Sequence, residues 1–124
     1  MPILGESDPY IRPFVFFVVR GRQGAEQTIR VRLDTGFDGS LALPPSLVDA
    51  LGLQAATARR TQLADGSLAY FMEYRVRILW EGFERPVRAL AKPGEPLAGV
   101  GLFEGYRVCI EFIDGGEIRA EFIA

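Results

Sequence analysis

The stretch R-L-D-T-G-F-D-G-S-L-A-L-P, residues 32–44, sets two carboxylates, Asp34 and Asp38, among Thr35, Gly36, Phe37 and Gly39 at the end of an apolar run. A carboxylate followed at once by Thr-Gly reads in two ways: as a reactive acid held on a tight loop, or as an aspartate that simply caps a turn. The composition narrows the chemistry. The 124 residues include no histidine and a single cysteine, Cys109. That excludes Ser-His-Asp and Cys-His catalysis, removes the commonest zinc ligand and rules out an internal disulfide. Any reaction must run on carboxylates, hydroxyls, amides or basic side chains. A calcium loop is a further idea, since Asp34, Asp38 and Gly39 match its positions 1, 5 and 6. It fails, because position 3 is Gly36 and position 12 is Pro45, where a bidentate glutamate belongs.

The elements that must carry this loop follow from periodicity. Residues 14–19, F-V-F-F-V-V, are β-branched and aromatic, the pattern of a strand buried on both faces. R-G-R-Q-G is turn chemistry, and Q-T-I-R-V-R-L-D then alternates, with Ile29, Val31 and Leu33 on one side and Arg30 and Arg32 on the other. The two form a hairpin that leads directly to Asp34. Beyond the loop, P-P-S-L-V-D-A-L-G-L predicts a short helix, with Ser46 and Asp49 at capping-box spacing and Gly52 as its stop. Residues 56–80 predict a second hairpin with Asp65-Gly66 at its tip. Its second arm places Leu68, Tyr70, Met72, Tyr74, Val76, Ile78 and Trp80 on one side. That arm exceeds the usual strand length, so part of it should stand clear of the core.

E-G-F-E-R-P-V-R-A-L-A predicts another strand, and L-A-G-V-G-L-F-E-G leaves room for a brief helix near residues 100–104. The chain ends in two alternating arms around Asp114-Gly115-Gly116. The total is six or seven short strands with one or two small helices in a single domain spanning residues 1–124, mainly β, as a barrel or sandwich. Arg59-Arg60 and the alternating Arg75 and Arg77 read as solvated strand faces. Cys109 reads as a small buried or interface residue and Trp80 as core. A formal charge of −2 with scattered basic residues argues against a nucleic-acid surface. No run approaches the length of a membrane span and no leader pattern stands at the start, so a cytoplasmic protein is expected.

Leu33-Asp34-Thr35-Gly36 after an alternating strand resembles the active-site signature of aspartic proteases. The order that follows is similar to the single-domain, retropepsin-like branch, and in particular to its small bacterial members. A hydrophobic run succeeds the aspartate, a hairpin sits where those proteins carry a flap, and Leu97-Ala98-Gly99 precedes a short helix. The likeness covers roughly residues 14–123. It implies a closed β-barrel with a flap hairpin, and an endopeptidase active as a homodimer. Such chemistry needs two carboxylates close enough to share one proton, one activating water and the other bonding the scissile carbonyl. A chain with one signature must take the second carboxylate from a two-fold partner.

By this resemblance Asp34 is catalytic, Thr35 locks the two loops across the dimer axis, and Gly36 lets the backbone approach the carboxylates. Phe37, Asp38 and Gly39 line the cleft, although Asp38-Gly39 is equally an ordinary turn. Leu63, Ala64, Asp65, Gly66 and Ser67 form the flap tip over an extended, largely apolar peptide. Leu97-Ala98-Gly99 buttresses the loop. Gly101 departs from the pattern, where relatives often carry Asp or Asn. The apolar C-terminal arm, with Ile118, Phe122 and Ile123, is expected to interleave with a partner's, or else to complete the chain's own sheet. No metal, cofactor, membrane or nucleic acid is implied. The rivals are a non-catalytic peptide-binding or dimerisation module on the same fold, and an unrelated small β-barrel that binds a small ligand.

Overall fold

The computed structural model describes residues 2–124. Ten strands run in the order β1 (Ile3–Ser7), β2 (Pro13–Arg20), β3 (Glu26–Leu33), β4 (Leu41–Leu43), β5 (Gln54–Gln62), β6 (Leu68–Trp80), β7 (Phe83–Ala91), β8 (Leu97–Ala98), β9 (Tyr106–Ile110) and β10 (Glu117–Phe122). One helix, α1 (Pro45–Leu51), and two 3-10 turns (Arg22–Gly24 and Val100–Phe103) complete the chain. The strand count exceeds the six or seven expected, because β1, β4 and β8 are short pieces with no alternation long enough to recognise.

Six strands close a barrel. Around the ring β6 pairs with β7, β7 with β4, β4 with β8, β8 with β3, β3 with β2, and β2 with β6 again. The closing contact falls at Val18–Leu79, Val19–Ile78 and Arg20–Arg77. β2 uses one edge twice: residues 18–20 meet β6, whereas Pro13, Phe14 and Val15 meet β1. From there β1, β10 and β9 extend outward as a wing.

The alternation of β3 is realised as expected, with Ile29, Val31 and Leu33 buried. They join Val15, Val19, Leu41, Leu43, Val76 and Ile78 in one core, each side chain removed from water by burial that drives folding. Trp80 closes one region of it, its ring edge-on to Phe103 and Tyr106 at 5.9 and 5.6 Å, with Nε1 donating to the Tyr106 hydroxyl at 3.1 Å. β2 is not buried on both faces as expected. Phe16 is exposed, and Phe14 is covered on the outside by the Arg30 guanidinium, 3.7 Å from its ring centroid.

α1 begins at Pro45, with Pro44 as N-cap and no side-chain cap. Pro at the first helical position supplies the helical φ directly, so the Ser46–Asp49 capping box is not used. The helix does end at Gly52, in the left-handed conformation (φ 60°). In the C-terminal arm, β10 pairs with β9 from Ile118 to Phe122 and with β1 at Glu117, Ile118 and Arg119, so it takes part in the chain's own sheet. Cys109 lies exposed on the outermost strand, β9, not buried. Among the described residues no helix is long and apolar enough to cross a membrane.

Candidate active site

β3 delivers Asp34 to the barrel's rim, and β4 leaves again seven residues later. Between these two strands lies β8, parallel to β3 (Arg32–Leu97, Leu33–Ala98) and antiparallel to β4 (Leu41–Ala98, Ala42–Leu97). The loop thus hangs from two strands pinned by a third. Its backbone is tied to the same segment: Asp34 N–H donates to the Ala98 carbonyl at 2.9 Å, Gly99 N–H to Ser40, and Val100 N–H to Phe37. These bonds fix the loop without using the aspartate side chain.

Gly99 makes the close approach possible. A Cβ there would fall 2.1 Å from the Gly39 carbonyl oxygen and 2.5 Å from that of Phe37. The Leu97-Ala98-Gly99 buttress is therefore a matter of backbone packing. Gly101 serves likewise, its N–H donating to the Gly39 carbonyl at 3.1 Å, where a side chain would crowd Ser40.

Asp34 is half-buried, and one carboxylate oxygen, Oδ1, accepts the Gly36 N–H at 2.9 Å. That bond orients the carboxylate and leaves Oδ2 without a hydrogen bond among the described residues. Thr35 and Gly36 are exposed beside it. Two clefts meet at Asp34. One, about 570 Å³, lies between the loop and the projecting β5–β6 hairpin and is lined by Asp34, Gly36, Phe37, Asp38 and Gly39 opposite β5. The other, about 500 Å³, lies on the wing side, where Asp34 and Thr35 face Leu97, Ile110 and Phe112. Phe112 and the adjoining Ile113 are 60% and 62% exposed.

The hairpin tip is a turn at residues 63–67 closed by Leu63 N–H to Ser67 and Gly66 N–H to Leu63. Of the five tip residues expected to line the site, Leu63, Ala64 and Gly66 do so; Asp65 and Ser67 do not. Asp65 is turned onto Ser67, accepting its hydroxyl at 2.5 Å and its N–H at 2.8 Å, and these bonds hold the carboxyl below the ordinary carboxylate range. Their part is to shape the turn.

Sequence reasoning missed Arg59, Arg60, Thr61, Gln62 and Lys92 in the first cleft. β5 is the last strand of the sheet, so its free edge faces the cleft and neighbouring residues can both line it. Lys92 arrives through the β4–β7 pairing, its N–H bonding the Leu43 carbonyl at 2.9 Å, a long-range register with no local signal. The cleft consequently carries three basic groups, one of them, Arg59, ion-paired to Glu73 at 3.5 Å. Among the described residues no group of three His, Cys, Asp or Glu side chains could hold a metal ion. No family model matches the chain, and no curated protein or solved structure matches it.

Proposed function

We propose that this chain is one half of a retropepsin-like aspartic endopeptidase, hydrolysing peptide bonds through an Asp34 pair assembled across a homodimer. The observation that carries the reading is the loop itself: an outward-facing carboxylate, oriented by the Gly36 N–H and anchored by β8, at the junction of two clefts. One cleft has the free edge of β5 as its wall, where an extended peptide can add as a strand. The other presents exposed Thr35 beside apolar Phe112, suited to a second copy. In the dimer, one Asp34 draws a proton from water as it attacks the scissile carbonyl. The other, protonated, donates a hydrogen bond to the carbonyl oxygen. The hairpin closes over the peptide and excludes bulk water.

The test compares wild type with Asp34→Asn on a mixed peptide library from about pH 3 to pH 7. Asparagine retains an Oδ1 acceptor for Gly36, so folding and dimer mass should be unchanged while cleavage falls about a thousandfold or more. A dimeric wild type that cleaves nothing, or a variant that cleaves equally well, overturns the proposal. A protein that stays monomeric at micromolar concentration yet binds extended peptides would point instead to a non-catalytic peptide-binding module.

A further inference from the structure

A larger cavity, about 870 Å³, involves none of the residues around Asp34. It is bounded by the turn after β2, the start of β5 and the outer faces of β6 and β7. Five arginines line it, Arg20, Arg22, Arg75, Arg77 and Arg88, and its lining includes no Asp or Glu. The sheet register sets Arg75 directly opposite Arg88, a like-charge cross-strand pair that works against strand pairing.

Neighbouring carboxylates offset this only in part. Glu84 meets Arg20 at 3.1 Å and Arg77 at 3.3 Å, Glu26 meets Arg20 at 3.2 Å, and Glu73 meets Arg88 at 3.2 Å. Arg22 and Arg75 have no ion pair among the described residues. Five arginines therefore line one concavity, and Arg20, Arg77 and Arg88 are ion-paired to carboxylates outside its lining, although the whole chain is net negative.

We infer that this cavity binds a condensed oxyanion, a di- or triphosphate group, either free or as the tail of a nucleotide. Guanidinium forks present paired N–H donors that match phosphate oxygens, and several converging forks suit an anion with several charged centres. The arginines gather around a hollow of small-molecule size instead of running along a face, which favours a compact ligand over a nucleic-acid strand. This site stands apart from Asp34 and does not depend on the peptidase reading.

Isothermal titration of the full chain with sodium triphosphate, at about 50 mM salt to limit screening, tests it. One saturable site per chain is expected. Arg75→Gln and Arg22→Gln should each weaken binding about tenfold, whereas Arg107→Gln, on β9, should leave it unchanged; circular dichroism confirms that each variant is folded. Competition by ATP assigns the site to a nucleotide tail, and binding of triphosphate without such competition assigns it to the free anion. Absence of saturable binding at millimolar triphosphate overturns the inference. So does equal binding by folded Arg75→Gln and Arg22→Gln, or binding of a single-stranded oligonucleotide with triphosphate silent.

Discussion

The two halves of β6 carry the same pattern into opposite surroundings. From Tyr74 to Trp80 the even-numbered side chains point into the barrel, and Val76, Ile78 and Trp80 are buried. From Leu68 to Met72 the same side of the strand is exposed, Tyr70 by 72%. The difference lies in the partners. β7 pairs with β6 only from Glu73 onward, and β2 joins at residues 77–79, whereas residues 68–72 are held by β5 alone. Glu73 marks the boundary, buried and shared between Arg59 and Arg88. Apolar alternation therefore specifies which side faces a core if a core is there; the neighbouring strands decide whether it is.

Mutations along this one strand can break the comparison. Ile78→Ala empties a fully buried position, and urea denaturation should show a loss of about 3–4 kcal/mol. Tyr70→Ala, with the same pattern and no second neighbouring strand, should change the stability of the dilute protein by about 0.5 kcal/mol or less. A loss above about 1 kcal/mol would show that the projecting arm packs as the barrel half does.

The smallest effect is at the tip, which local hydrogen bonds hold instead of a core. Because the folded state holds the Asp65 carboxyl low, its contribution to the turn is complete above the ordinary carboxylate value. It is lost only as the pH falls through the lowered one. An NMR titration should therefore find the Ser67 amide unmoved through mildly acidic pH, and the Asp65 midpoint should rise in Ser67→Ala. An unchanged midpoint would remove the hydroxyl as the cause.

This contrast also explains what could be read from the chain beforehand. Both long hairpins, the Asp34 loop between β3 and β4, and the end of α1 at Gly52 were legible, because each depends on neighbours within a few residues. The two-residue β8 was legible only as a motif and not as a strand, since its pairing with β3 and β4 joins residues more than fifty positions apart. The exposed Phe16, the doubly paired β10 and the arrival of Lys92 at the cleft are likewise settled by distant partners. The lining of the cleft divides the same way. Asp34, Gly36 and Leu63 were singled out by local sequence, whereas the basic residues of its wall came from the strand edge that tertiary pairing left open.

The divided edge of β2 has a thermodynamic consequence. One strand is at once a stave of the barrel and the root of the wing, and the fully buried Ile118 of β10 belongs to the same core as Val15 of β2 and Val31 of β3. Wing and barrel should accordingly melt as a single unit, with the amides of β10 exchanging their hydrogens at the rate of global opening, as slowly as those of β3.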